Sequence, residues 1–177
     1  MIEERGNIKE QIRKLKRLNN RVPRIAGTVA VNHFKQSFRN QGFTDQSLRK
    51  WKQRKHKGRG RRRAILVKSG ALRRSVRITR IGRRSVSVGS ELPYAQIHNE
   101  GGTIDTVQQV GKHTRKAHKR RRSGRKRRSV QVKEHIVSAH KRKINTKIPR
   151  RQFIGRSRKL ERKIDLKITT EIQKIFS

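Results

Sequence analysis

The side chains in this sequence that could act as catalysts or metal ligands are few and scattered. Five carboxylates form no recognisable acid–base pair. Four histidines form two pairs five residues apart, a spacing that does not share a helical face, and no cysteine accompanies them. We therefore expect neither a metal nor a cofactor. These residues are Asp45, Glu91, Glu100, Asp105 and Glu134, and His113, His118, His135 and His140.

Three other residues invite a chemical interpretation. Ser69 stands between Lys68 and Gly70, an order that matches neither a phosphate-binding loop nor a nucleophile elbow, and its hydroxyl is better suited to capping a short helix. His98 is expected to cap or pack. Trp51 could stack a nucleobase, although packing on the domain edge is the simpler interpretation. No pattern here favours an enzyme.

Positive charge is the dominant chemical feature of the chain. Its 177 residues include 52 Lys and Arg against 11 Asp and Glu, a formal net charge of +41, and only 29% are hydrophobic. Such a chain buries a small core, and its charges repel one another. We therefore expect a polyanion or an acidic protein as a partner.

Much of this charge lies in two runs that are predicted to be loops. Arg49 to Arg63 holds ten Lys and Arg in fifteen residues, and Gly111 to Arg128 holds eleven in eighteen. The second run is predicted to be a disordered tip that contacts phosphates without regard to sequence; the alternative is a solvated loop that aids solubility. The predicted contacts are Arg59, Arg61, Arg62, Arg63, Lys112, Arg115, Lys116, Lys119, Arg120, Arg121, Arg122, Arg125, Lys126, Arg127 and Arg128.

The sequence also bears on the compartment. Without cysteine the chain has no disulfide framework. No apolar run approaches the roughly 20 residues that cross a bilayer, and no apolar segment follows residues 1–5 as in a signal peptide. We expect a protein that is made in the cytoplasm and that stays there or in a particle assembled there.

Helical periodicity appears near both ends of the chain. One pattern covers residues 7–18, breaks at Asn19-Asn20, resumes near Pro23 and ends at residues 40–42. The C-terminal stripe winds around its helix, because each four-residue step overshoots a full turn by about 40°. Its residues are Leu160, Ile164, Ile168, Ile172 and Phe176.

Extended segments lie between the two helical regions. Residues 76–79 and 85–88 alternate apolar and polar side chains around Gly82, which predicts a two-stranded hairpin. Residues 103–109 and 130–136 are predicted to be the arms of a longer hairpin that ends in the second basic run.

The stretch from Pro93 to Gly102 is one of the few not dominated by Lys and Arg. Pro suits the first position of a helix, and Gly suits the position just past its end, so we predict a short helix with a sharp stop. The alternative is an ordinary loop with a buried Tyr. Tyr94, Ile97 and Gly101 recur at one-turn spacing. One core is predicted to hold the C-terminal stripe together with Phe34, Phe38, Leu72, Tyr94, Ile97 and Phe153.

Three blocks of the sequence can be read together, at residues 66–75, 94–102 and 148–155. In this order they resemble the phage virion morphogenesis family, the tail-completion or neck proteins of Mu-like tailed phages. The second block matches the family's Tyr-Ala-x-Ile-His-x-x-Gly-Gly pattern at every fixed position. The third departs where Arg150 and Arg151 precede Gln152 and where Ile154 replaces Leu. The matching motif residues are Ser69, Gly70, Leu72, Tyr94, Ile97, His98, Gly101, Gly102, Pro149 and Phe153.

The resemblance implies an α+β fold: a small antiparallel sheet with a helix at each end and a long extended β-hairpin carrying a basic tip. Residues 1–20 would be an N-terminal helical extension and residues 21–177 a single domain with basic loops at 49–63 and 111–128. Relatives look like rings at the head–tail joint, around the DNA channel. The implied virion protein is a homo-oligomer, most simply of six copies, that contacts portal or adaptor proteins, tail proteins and DNA, and no membrane.

A ribosomal or nucleoid-type protein that binds RNA or DNA is the alternative. Composition alone favours it, because small proteins this basic often bury their tails in RNA. The three blocks favour the phage protein instead. A nuclease is disfavoured because the sequence has no acidic cluster.

Overall fold

The computed structural model describes residues 2–54, 63–121 and 129–176, with the backbone alone at residues 2–7 and at Arg121. The protein is 41% helical and 30% strand, and its sheets are small and antiparallel, which agrees with the predicted α+β class. Contacts divide the chain into two compact units. Unit 1 comprises Met1–Gly102 with Ile148–Ser177, and unit 2 comprises Thr103–Lys147.

The first helix, α1, runs from Ile2 to Asn40 without interruption, so the predicted break at Asn19-Asn20 is wrong. Pro23 lies inside α1, where it removes one backbone hydrogen bond, and such a proline costs about 3 kcal/mol. The carbonyl left without a partner belongs to Asn19, an exposed residue, so water can satisfy it. Burial along one side of α1, from Leu18 to Phe38, stabilises the helix, which continues through this point.

Short elements fill the rest of unit 1. Strands β1 (Gly42–Thr44) and β2 (Leu48–Lys50) form an antiparallel pair that the sequence did not predict. Helix α2 (Ala71–Ser75) precedes β3 (Arg77–Ile81) and β4 (Val86–Gly89), which form the predicted antiparallel hairpin. Helix α3 is Ala95–Glu100 and helix α4 is Arg158–Phe176. The last helix packs against α1.

The core of unit 1 is aromatic at its centre. Phe38 lies 5.1 Å from Phe153 and 5.6 Å from Trp51 between ring centroids, and all three are buried. The Phe38 and Trp51 rings meet edge to face, and such a pair adds stability beyond the area that it buries. The predicted anchors Phe34, Phe38, Leu72, Phe153 and Leu160 all belong to this cluster.

Five predicted core residues are not in that cluster: Tyr94, Ile97, Ile168, Ile172 and Phe176. Tyr94 is 42% exposed, because Ala95 occupies the buried side of α3 instead. Along α4, Leu160 is buried, Ile168 is half-buried and Ile172 is 37% exposed. This gradient follows from the four-residue spacing, which turns the stripe away from α1 as the helix proceeds.

Unit 2 consists of paired strands. In chain order they are β5 (Gly102–Val110), β6 (His113–Arg115), β7 (His118–Arg121), β8 (Ser129–Val132), β9 (His135–Val137) and β10 (His140–Ile148). Strand β5 pairs with β10, while β6 with β9 and β7 with β8 are antiparallel. Every described side chain of this unit is exposed or half-buried, so it has no core of its own in that part of the chain.

The prediction that residues 111–128 form a disordered loop is wrong for β6 and β7. Alternate side chains on a strand point to opposite faces, so neighbouring cations are separated while the backbone bonds to its partner strand. Lys119 faces Gln131 and Arg120 faces Val130 across the pair, so no cation directly opposes another there. The remainder of the predicted tip, residues 122–128, lies outside the described residues.

Candidate functional site

Hydrogen bonds join the second sequence block to the third. The side-chain carbonyl of Asn99 accepts the backbone N–H groups of Phe153 and Ile154 at 2.9 and 3.0 Å. The N–H of Arg151 donates to the carbonyl of His98 at 2.8 Å. The two blocks therefore form one structural unit, although some 50 residues separate them in sequence. Asn99 was not singled out by the sequence, because its block was identified by other positions.

Gly101 makes this close junction feasible. Its φ of 80° lies in the left-handed region, and a Cβ there would come within 2.8 Å of the Arg150 backbone nitrogen. Its N–H closes α3 by donating to the carbonyl of Ile97 at 2.9 Å. The predicted sharp stop is therefore confirmed, although α3 begins two residues after Pro93. Gly102 follows directly and opens β5.

Trp51 fastens the start of the first basic run to the third block. Its indole N–H donates to the carbonyl of Gln152 at 2.7 Å, and only 5% of the residue is exposed. A side chain so deeply buried cannot stack on a nucleobase. The packing interpretation is correct, and Trp51 lies deeper than the domain edge where it was expected.

The first block forms the start of α2. Gly70, with φ 75°, occupies the N-cap position that was predicted for Ser69. The Ser69 hydroxyl still accepts the N–H of Ala71, at 3.4 Å, so the prediction is wrong by one position. Leu72 points into the core, as predicted. Pro149 lies in the irregular segment after β10 and is half-buried.

All three blocks contribute to one cleft of about 390 Å³ in unit 1, which we call the block cleft. The first block supplies one wall, α3 supplies another, and two arginines complete the lining. Leu66, in the wall, has a φ of 60°, which for a residue with a branched side chain costs about 1–2 kcal/mol. Its lining residues are Arg54, Ile65, Leu66, Val67, Lys68, Ser69, Gly70, Ala71, Leu72, Tyr94, His98 and Arg151.

The lining of the block cleft is cationic. Arg54, Lys68 and Arg151 contribute to it, and among the described residues no Asp or Glu does. Arg151 donates from Nε and Nη2 to the carbonyl of Lys52 at 3.3 and 3.2 Å, and Arg54 donates to the carbonyl of Ala64 at 3.2 Å. Burial lowers the pKa of Arg151, and the charge of Arg54 lowers it further. The cleft therefore favours an anion over a cation.

His98 contributes a buried polar atom to the cleft. Its Nδ1 atom is buried and has no hydrogen-bond partner among the described residues. The Tyr94 ring meets it edge to face at 6.1 Å. Burial lowers the pKa of His98 and the charge of Arg151 lowers it further, so the ring is neutral near pH 7. The prediction that His98 packs is correct, yet its buried nitrogen leaves a donor or acceptor unused.

The lining of the block cleft includes none of the predicted polyanion contacts that the structure describes. In unit 2, Lys112, Arg115, Lys116, Lys119 and Arg120 are exposed on β6, on β7 and in the short segments that precede these strands. Arg121 ends β7. In unit 1, Arg63 is exposed. The remaining predicted contacts lie outside the described residues: Arg59, Arg61, Arg62, Arg122, Arg125, Lys126, Arg127 and Arg128.

The four histidines of unit 2 share one backbone arrangement. Each Nδ1 lies 3.0–3.2 Å from the carbonyl oxygen two residues earlier, at Gly111, Lys116, Lys133 and Ser138. A carbonyl only accepts, so Nδ1 carries the proton. Each histidine opens a strand, which gives the five-residue spacing a structural role.

Two classes of site are absent from the part of the chain that the structure describes. No group of three or more His, Asp or Glu side chains there is arranged to hold a metal ion. Neither long helix there carries an apolar stretch sufficient to span a bilayer.

Comparison with known proteins gives one match. No curated protein matches the chain, and no solved structure does. The phage virion morphogenesis family matches residues 7–173, which include all three sequence blocks, the block cleft and the whole of unit 2. The chain therefore belongs to the phage virion morphogenesis family, whose members are structural or assembly proteins of the virion.

Proposed function

We propose that this protein is a tail-completion or neck subunit that forms a ring at the head–tail joint of a tailed phage, around the DNA channel. One observation carries the proposal beyond the family: unit 2 has 16 Lys and Arg against Asp105 and Glu134, and its described side chains are unburied. A surface of this kind suits contact with a phosphate backbone or with acidic neighbours.

The strand pairs of unit 2 are proposed to form one long hairpin whose basic tip is residues 122–128. The pair of β6 with β9 and the pair of β7 with β8 have the same register. His113 pairs with Val137 and His118 with Val132, so both strands advance by the same number of residues between the two pairs. If the backbone were extended over all twenty residues from Gly102 to Arg121, the three strands and their short connections would reach roughly 65 Å. Such an arm would carry its charge well away from its base and contact phosphates without reading bases.

Self-association into a ring, most simply of six copies, is supported by apolar surface on both long helices of unit 1. Ile8 and Ile12 on α1 are 55% and 47% exposed, and Leu166 and Phe176 on α4 are 68% and 57% exposed. Two different faces on one subunit suit head-to-tail contacts, which close into a ring when the rotation is right. Portal or adaptor proteins and tail proteins are the proposed neighbours of that ring.

Cryo-electron microscopy of purified virions, averaged about the tail axis, tests this proposal. We expect ring density for this chain at the head–tail joint. A monomer in assembled particles, or a location elsewhere in the virion, would contradict it. Affinity purification from infected cells separates the alternative, a ribosomal or nucleoid-type RNA- or DNA-binding protein, because ribosomes rather than capsid and tail components would then co-purify.

A further inference from the structure

We propose that the block cleft is a binding site for a carboxylate-bearing segment of another protein, in which an Asp or Glu is flanked by an apolar residue. The inference concerns unit 1 alone and holds whether or not unit 2 binds DNA. It joins the two halves of the lining, which are cationic and apolar.

The cationic half calls for an anion. Arg54 and Arg151 lie close enough for one charge to lower the pKa of the other guanidinium. None of the ion pairs among the described residues includes a cation of the cleft. A guanidinium has five N–H donors, and the bonds to the carbonyls of Lys52 and Ala64 use only part of them. Donors therefore remain for a carboxylate, the anion that a planar guanidinium matches best.

The apolar half of the lining favours a carboxylate that has an apolar side chain beside it. Ile65 and Leu72 are buried and Leu66 and Val67 are half-buried in the wall beside these cations. A hydrated nucleic-acid phosphate gains nothing from such a wall, whereas an aliphatic side chain next to an acidic one gains from burial. The volume of about 390 Å³ lies in the range of small-ligand pockets and suits two or three side chains.

Two local features mark the cleft as more than a gap in packing. Leu66 adopts a left-handed backbone conformation, and such strain concentrates where a site requires a particular geometry. His98 keeps a buried nitrogen without a partner among the described residues, and this usually costs stability. Both features lie in the lining of the cleft, within the residues that the family matches.

The segment is expected to come from a different protein rather than from another copy of this chain. The chain has only 11 Asp and Glu. Five of these already form ion pairs within the subunit: Glu10, Asp45, Glu91, Glu161 and Glu171. An acidic partner also offsets the repulsion of a chain with a net charge of +41.

A matched pair of peptides tests the site on the full-length protein. We would titrate acetyl-Leu-Glu-Leu-amide, acetyl-Leu-Gln-Leu-amide and inorganic phosphate at constant ionic strength, following the NMR signals of the His98 ring and the arginine Nε–H groups. The glutamate peptide should bind saturably and about tenfold more tightly than the glutamine peptide, because it adds a charge-assisted hydrogen bond. It should also raise the pKa of His98. Equal binding of both peptides, no saturable shift, or equal displacement of these signals by phosphate would overturn the proposal.

Two variants locate the effect. Arg54→Gln with Lys68→Gln should weaken the glutamate peptide about tenfold, whereas Arg83→Gln with Arg84→Gln, on the exposed turn between β3 and β4, should not. In intact virions, a carbodiimide should link the Lys68 amine to an Asp or Glu of a different virion protein. Unchanged affinity in the first variant, or Lys68 links confined to this chain or absent, would show that the cleft does not hold such a segment.

Discussion

Unit 2 is richer in Lys and Arg than unit 1, and the two units are ordered by different forces. Unit 1 brings Phe38, Trp51 and Phe153 into one buried cluster. Unit 2 buries no described side chain, so its order depends on backbone pairing between strands. In this basic chain, the packing of buried side chains therefore stabilises unit 1, and backbone hydrogen bonds between strands stabilise unit 2. Substitutions in unit 1 should cost stability, while those in unit 2 should change what it binds.

The largest effect is expected from Phe153→Ala. Phe153 is 1% exposed at the centre of the core, so its loss should lower the free energy of unfolding by about 3–5 kcal/mol. The matched substitution in unit 2 is Val130→Ala, at a residue 44% exposed, and should cost less than about 0.5 kcal/mol. Denaturant titration measures both values. Similar losses would contradict the contrast between the units.

Affinity for DNA should depend more on the side chains of unit 2 than on those of unit 1. If about five side chains of unit 2 contact phosphates on duplex DNA, log affinity should fall with log salt at a slope near −4 to −5. A sixfold Arg-to-Gln variant of unit 2 should flatten this slope with little effect on folding. Its positions are Arg120, Arg121, Arg122, Arg125, Arg127 and Arg128.

A control with the same change in charge separates contact from net charge. Its six exposed arginines lie in unit 1, at Arg13, Arg17, Arg21, Arg24, Arg83 and Arg84, and their replacement by Gln should leave the slope unchanged. Equal flattening in both variants would mean that only total charge matters. An unchanged slope in both would point to residues 49–63 or to acidic protein partners.

A smaller effect is expected at two glycines. Gly101→Ala places a Cβ 2.8 Å from a backbone nitrogen at a φ of 80°, so it should cost roughly 1–3 kcal/mol. Gly111→Ala, in unit 2, meets no atom within 4 Å and should change stability by less than about 0.5 kcal/mol. Thermal unfolding of the two variants compares them directly. A Gly101→Ala protein as stable as the parent would show that the junction is not tight.

The smallest effect concerns pH. Burial lowers the pKa of both His33 and His98 in the folded protein. As the pH falls through the unfolded value of about 6.5, the unfolded chain therefore binds protons first, and the free energy of unfolding decreases. In the double variant His33→Gln, His98→Gln, the free energy of unfolding should decrease less between pH 7.5 and pH 5.5 than in the parent, because neither glutamine takes up a proton. The same pH dependence in parent and variant would assign it to other groups.

The sequence predicted elements whose signal is local. The hairpin of β3 and β4, the C-terminal helix and the stop at Gly101 follow from alternation, periodicity and glycine chemistry over a few residues. Long-range contacts overrode the local signal at Pro23, where packing carries α1 through a residue that usually ends helices. The strands β6 and β7 of unit 2 were predicted to be a disordered loop because they lack apolar alternation. The pairing of β6 depends on residues some 20 positions away.

The candidate site was less accessible than the fold. The three blocks were found, but their convergence on one cleft depends on Asn99 and on the bond from Arg151 to His98, and neither has a local signature. Arg54 and Arg151 were seen only as members of basic stretches. Their role in a cleft without acids depends on folding that places them beside Lys68.

The position of Trp51 gives the protein a built-in optical reporter. It is the single tryptophan of the chain, and the single tyrosine, Tyr94, also lies in unit 1. Intrinsic fluorescence therefore follows the melting of unit 1 and does not detect unit 2, whose strands contribute only to circular dichroism. Heating one sample while recording both fluorescence and circular dichroism would show whether units 1 and 2 unfold at the same temperature or at different temperatures.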